Sequence, residues 1–149
     1  MADLAELAQI VIERGIKRPI EVLLQQRSYP AALILIYSGM DTMAFLSMPA
    51  AKTDVMRSDF IAWAQQYIRL PGFLGADLYG ARCSILHGGA QSRFVREGRG
   101  RAVVVTPENL ARAFFEGVDR CLLEIASNAG RTETAERRLR QLLENLPYR

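Results

Sequence analysis

SYPAALILIYSGMDTMAFLS, residues 28–47, is the stretch that decides the fold. Its side chains are apolar on nearly every face of a helix, which is typical of a helix buried on all sides. Pro30 suits the first helical turn, where a missing amide proton breaks no hydrogen bond. The stretch is about long enough to cross a membrane, but its middle holds Ser38, Gly39, Asp41 and Thr42. We therefore expect it to form the core of a soluble domain that has no membrane contact.

Helical spacing of apolar residues continues on both sides of this core helix. Before it, Gly15 and Pro19 divide the first 25 residues into two short helices or one broken helix. After it, the next helix is predicted to begin at Asp54 or Ser58. Three more helices are predicted, at about residues 75–87, 106–128 and 133–145.

Residues 92–105 differ from the helices in their pattern. Two short apolar segments flank a glycine-containing turn at residues 97–100, which predicts a short β-hairpin or an irregular arm near residues 92–105. The chain is therefore expected to be a single all-α domain over residues 1–149, a compact bundle of about five to six helices with this one short arm.

The charge of the chain is mildly basic. Lys and Arg number 19 against 16 Asp and Glu, a net charge of +3, which is too small to indicate nucleic-acid binding by itself. Only Lys17 and Lys52 are lysine, so arginine dominates. Its planar guanidinium suits phosphate recognition, but a GC-rich genome would give the same bias without any function.

The two cysteines do not form a metal-binding pattern. Cys83 and Cys121 stand alone, without CxxC or CxxxH spacing, so neither a metal nor any other cofactor is expected. The first residues carry acids rather than the basic segment of a secretory signal. We therefore expect a cytoplasmic protein with reduced cysteines.

The segment Arg82-Cys83-Ser84-Ile85-Leu86-His87 is the main candidate for chemistry. His87 is the only histidine, and histidine is the one side chain whose ordinary pKa allows acid and base work near neutral pH. Residues five apart on a helix are separated by about 140°, so Arg82 and His87 do not share a face. Arg82 instead follows the apolar side of its helix and needs a partner, for which Asp41 is the natural candidate. Catalysis and a structural ion pair therefore both remain open for Arg82.

Four further arginines come shortly after this segment: Arg93, Arg96, Arg99 and Arg101. They alternate with Phe94 and with glycines, an arrangement suited to contacting a phosphate backbone and stacking a base. The alternative is a solvated hairpin whose arginines keep an exposed strand edge from pairing with other chains.

The chain resembles the HEPN superfamily, the "higher eukaryotes and prokaryotes nucleotide-binding" domains, in which an arginine precedes a histidine by four to six residues late in a long helix. Arg82 and His87 match that motif. The resemblance implies a homodimer that cleaves RNA without a metal, with motif residues of both subunits at one composite site. His87 would move protons at the ribose 2′-hydroxyl or the leaving oxygen, and Arg82 would stabilise charge on the phosphate. Asp41 and Cys83 are the candidate supporting residues on the evidence of this sequence rather than of the family motif.

One position departs from the family pattern. Catalytic members usually carry a polar residue directly after the arginine, where this chain has Cys83, a weak hydrogen-bonding group. Relatives often act as toxin–antitoxin or defence components, which implies RNA and a cognate antitoxin or other partner protein as binding partners. The alternative is a catalytically inactive helical module for dimerisation, partner binding or nucleotide binding.

Overall fold

Helix α3 (Tyr29–Ser47) lies at the centre of the fold in the computed structural model, which describes residues 1–86, 94–96 and 103–145. The other helical segments are α1 (Leu4–Ala8), a π-helical segment (Gln9–Lys17), α2 (Arg18–Gln25), α4 (Arg57–Tyr67), α5 (Gly75–Leu86), α6 (Pro107–Ala126) and α7 (Ala129–Glu144). Every segment after α1 packs directly against α3. The prediction of an all-α bundle around this helix is confirmed.

The apolar composition of α3 follows from this central position. By length and composition, α3 meets the requirements of a membrane span, and it is the single helix in the described part of the chain that does so. Its buried residues include Leu33, Ile36, Tyr37, Met40 and Met43, which contact helices on several sides. Packing inside the bundle is therefore sufficient to explain why the helix is apolar.

The first helix is continuous, so the prediction of two short helices or one broken helix is wrong. α1, the π-helical segment and α2 follow one another without a gap from Leu4 to Gln25. At the end of the π segment, the Arg18 amide donates to the carbonyl of Glu13, five residues earlier. The ring of Pro19 would clash with a preceding carbonyl in a regular α-helix, and the wider π turn just before it relieves that clash.

Helix α4 begins at Arg57 rather than at Asp54 or Ser58. The carboxylate of Asp59 accepts the amide proton of Met56 at 2.8 Å, which satisfies one of the free donors at the helix start. This acidic residue inside the first turn, rather than either predicted cap, therefore fixes where the helix starts.

The starts of the last two helices are set by side-chain caps. The Thr106 hydroxyl accepts the amide proton of Asn109, in the first turn of α6, at 3.2 Å. Helix α7 begins at Ala129, earlier than the predicted start near residue 133. The side chain of Asn128 accepts the amide proton of Arg131 at 3.0 Å and caps the helix there.

Of the two alternatives predicted for residues 92–105, a β-hairpin or an irregular arm, the structure shows paired strands. Strand β1 (Phe94–Arg96) pairs antiparallel with strand β2 (Val103–Val105), with Phe94 opposite Val105 and Arg96 opposite Val103. The turn between the strands lies outside the described residues.

Arg138 of α7 is a buried arginine bound by carbonyls rather than by a carboxylate. Its side chain donates to the carbonyl oxygens of Phe45, Met48, Pro49 and Lys52 at 2.6–3.0 Å, and the residue is 2% exposed. These carbonyls belong to the last turn of α3 and the loop after it, where free carbonyls and the helix dipole both favour a cation. Arg138 therefore fixes the path of the chain from α3 toward α4.

Candidate functional site

Arg82 on α5 and Asp41 on α3 form an ion pair. The Nε of Arg82 donates to Oδ2 of Asp41 at 2.9 Å, and the two side chains are 24% and 29% exposed. The predicted pairing is confirmed. The guanidinium is half-buried rather than enclosed in the core, because α3 and α5 meet here near the protein surface.

Two aromatic rings hold the other side of the Arg82 guanidinium. Its Cζ lies 5.8 Å from the ring centre of Phe60 on α4 and 5.7 Å from that of Tyr79, one turn earlier on α5. The two rings pack edge to face with centres 5.6 Å apart. These contacts restrict the guanidinium by cation–π attraction as well as by the bond to Asp41.

Arg57, at the start of α4, approaches the same aromatic ring. Its Cζ lies 5.3 Å from the ring centre of Tyr79, so Tyr79 contacts two guanidinium groups, those of Arg57 and Arg82. Arg57 is exposed. We call Asp41, Arg57, Phe60, Tyr79 and Arg82 the Arg82 cluster. It joins three helices and presents two arginines and one tyrosine near the surface.

The protonation of the pair follows from its partial burial. Burial raises the pKa of the Asp41 carboxyl above its usual value, and the bond from Arg82 offsets this only in part. Burial lowers the pKa of the Arg82 guanidinium, but the bond to Asp41 and the contact with Cys83 outweigh it, so this pKa is raised. Arg82 therefore stays charged. Asp41 is protonated at a higher pH than a carboxyl group in water would be.

The structure brings together only part of the predicted site. Asp41, Arg82 and Cys83 are adjacent, and the Cys83 thiol is free and half-buried. Arg96 lies in β1. His87, Arg93, Arg99 and Arg101 lie outside the described residues.

Arg57, Phe60 and Tyr79 were not predicted as site residues. Tyr79 stands three residues before Arg82, a spacing that places both on one helix face and could have been recognised. Arg57 gives no such signal, because α4 brings it to the site from 25 positions away in the sequence.

The chemistry that the cluster supports is anion binding. The bond to Asp41 uses Nε of Arg82, and among the described residues no carboxylate binds its terminal nitrogens. Apart from the contact with Cys83, these nitrogens are therefore available to a phosphate. Arg57 adds a second, exposed cation beside Tyr79. Within the ranges that the structure covers, no group of three His, Cys, Asp or Glu side chains is placed to hold a metal ion.

Comparisons with protein-family models, with curated proteins and with solved structures found no match for this chain. The function is therefore argued from the geometry of the Arg82 cluster and from the motif that contains it.

Proposed function

We propose that this chain is an HEPN-like RNA-binding domain that cleaves RNA without a metal ion when two copies form a homodimer. The observation that carries the proposal is the Arg82 guanidinium, which Asp41 and two aromatic rings hold half-exposed near the end of the helix that leads to His87. An arginine fixed in this way can meet a phosphate without first losing side-chain freedom.

In the proposed mechanism, Arg82 stabilises the charge that develops on the phosphate during cleavage. His87 removes the proton of the 2′-hydroxyl or protonates the leaving oxygen. Because residues five apart on a regular helix would point about 140° apart, the proposal has a second subunit supply the missing partner at each site. Cys83 assists only through its contact with Arg82.

RNA binding on either side of the cleaved bond would use the remaining basic groups. Arg57, which is exposed, contacts a neighbouring phosphate. The arginines of the hairpin region then follow the backbone further along: Arg93, Arg96, Arg99 and Arg101. A ribonuclease in the cytoplasm would damage the RNA of its own cell unless it were inhibited. The proposal therefore includes a cognate antitoxin or another inhibitory partner protein.

The direct test is cleavage of a mixed-sequence RNA by the purified full chain in the presence of EDTA. We expect His87→Ala to abolish cleavage, and Arg82→Lys to reduce it strongly because lysine keeps the charge but not the planar fork. Arg112→Ala is the matched control, since this exposed arginine lies on α6, outside the cluster. Absence of cleavage by the wild type, or equal activity of wild type and His87→Ala, would refute the catalytic proposal.

The ion pair itself favours a second candidate, a catalytically inactive dimerisation or partner-binding module. In that case the task of Asp41 is to neutralise Arg82 between α3 and α5. Arg82→Ala would then lower the free energy of unfolding by about 1–2 kcal/mol, because both groups are only half-buried, rather than the larger loss expected for a fully buried pair. A wild type that neither binds nor cleaves RNA, combined with this loss of stability, would favour the module.

A further inference from the structure

We propose that a groove between α1, α6 and α7 binds a basic amphipathic helix of a partner protein. The groove has a volume of about 630 Å³. Helix α7 packs against both α1 and α6, and the groove opens along these three helices. It shares no helix with the Arg82 cluster, which lies on α3, α4 and α5, so the inference does not depend on the proposed function.

The floor of the groove is apolar and is exposed in part, at Leu123 and Ala126. It is formed mainly by Leu4, Ala8, Leu122, Leu123 and Ala126. Leu123 is 72% exposed, an unusual position for a large apolar side chain unless a partner covers it.

The spacing of these residues suits a helix as the occupant. On α6, the lining residues Asp119, Leu122, Leu123 and Ala126 follow the i, i+3, i+4, i+7 pattern of a single helix face. At 1.5 Å per residue this face is about 10 Å long, or two helical turns. A docked helix of similar length can place two or three apolar side chains into the groove.

The charged residues around the groove indicate the charge of the partner. Every charged residue that lines it is acidic, namely Asp3, Asp119 and Glu136, although the chain as a whole carries +3. Two of these acids have basic partners: Lys17 Nζ lies 2.7 Å from Asp119, and Arg140 lies 3.5 Å from Glu136. Lys17 also pairs with Glu13 at 2.8 Å, so the group of Glu13, Lys17 and Asp119 keeps a net negative charge. The Asp119 side chain is still 64% exposed and open to a second cation.

These charges also distinguish a protein helix from a membrane surface. Anionic lipid headgroups would be repelled by the acidic rim, whereas lysines and arginines flanking the apolar face of a helix would meet it favourably. A basic amphipathic helix therefore matches both the apolar floor and the acidic rim of the groove.

The test uses the full chain and a fluorescein-labelled peptide of about four helical turns, with leucines on one face and lysines elsewhere. Binding is measured by fluorescence anisotropy. We expect L123K to weaken binding by about tenfold or more, because it removes the exposed apolar contact and adds a repelling charge. V22K is the matched control, since Val22 is an exposed apolar residue on α2, outside the groove.

A second peptide, with glutamate in place of every lysine, tests the role of charge and should not bind. Three results would overturn the proposal: no binding of the lysine peptide, equal binding of the two peptides, or equal effects of L123K and V22K. A wild-type dimer that L123K converts to a monomer would also overturn it, because the groove would then be occupied by a second copy of the chain. Light scattering on the same samples distinguishes that case.

Discussion

Replacing Arg138 with methionine removes the cation that four carbonyl groups share. Methionine replaces the aliphatic part of the side chain, so the change removes the hydrogen bonds together with the cation–π contact to Phe45, whose ring centre lies 5.2 Å from the Arg138 Cζ. The carbonyl oxygens affected are those of Phe45, Met48, Pro49 and Lys52. No carboxylate is left unpaired by the substitution, because all four hydrogen-bond partners are backbone groups.

The expected loss can be worked out bond by bond. The bond to Met48 is buried, so its carbonyl loses its donor without access to water, which costs about 1–3 kcal/mol. The other three bonds are half-buried, and water replaces each at a net loss of about 0.5 kcal/mol. We therefore expect Arg138→Met to lower the free energy of unfolding by about 3 kcal/mol, which corresponds to a fall in Tm of roughly 6–12 °C in a domain of this size.

The measurement is urea unfolding followed by circular dichroism, with calorimetry for Tm. Arg137→Met is the matched control, since the neighbouring side chain is exposed and makes one long contact, 3.4 Å to the carbonyl of Ala50. The control should change stability by less than about 0.5 kcal/mol. A loss below about 1 kcal/mol for Arg138→Met, or equal losses for both variants, would show that these carbonyl bonds do not hold the loop.

Three further predictions concern stability and use the same unfolding assay. Gly39→Ala should lower the free energy of unfolding by about 1–3 kcal/mol, because the new methyl would lie 2.6 Å from a buried phenylalanine ring. Gly80→Ala, with open space around it, should stabilise α5 by up to about 1 kcal/mol. Equal effects of the two substitutions would contradict this prediction. Tyr37→Phe should raise the free energy of unfolding by up to about 1 kcal/mol, because the buried hydroxyl has no hydrogen-bond partner among the described residues. A clear loss of stability would show that the hydroxyl does have a partner. The bond from Lys52 lowers the pKa of Asp59, so this carboxylate stabilises the fold above its unfolded pKa and the effect disappears as pH falls through its folded pKa. Asp59→Asn should therefore lose stability at neutral pH and approach the wild type in acid, and a pH-independent difference would refute the assignment.

Much of the secondary structure could be predicted because its signals are local. Pro30 at the start of α3 and Thr106 at the cap of α6 act within one turn of their own positions. The glycine-containing turn between short apolar segments predicted either a hairpin or an irregular arm, and the pairing of the strands decides between them. The π-helical segment was missed because no local pattern distinguishes it from a helix interrupted at Gly15 and Pro19.

The candidate site was only partly predictable. The pairing of Asp41 with Arg82 followed from a simple requirement, since each is a charged residue on an otherwise apolar helix face and needs a partner. The contact of Arg57 with Tyr79 depends on how α4 lies against α5, which no spacing in the sequence records.

The sequence by itself determined the helical class and the central position of the residue 28–47 stretch, and it supplied Asp41 as a candidate partner for Arg82. Periodicity, caps and the need to neutralise a charge each involve few residues. Only the tertiary structure decided the role of Arg138, the aromatic support of Arg82 and the acidic groove beside α6. Arg138, for example, binds carbonyls that precede it by 86 to 93 residues. Backbone carbonyls are the same in every residue, so a side chain that recognises them leaves no complementary residue in the sequence from which the contact could be predicted.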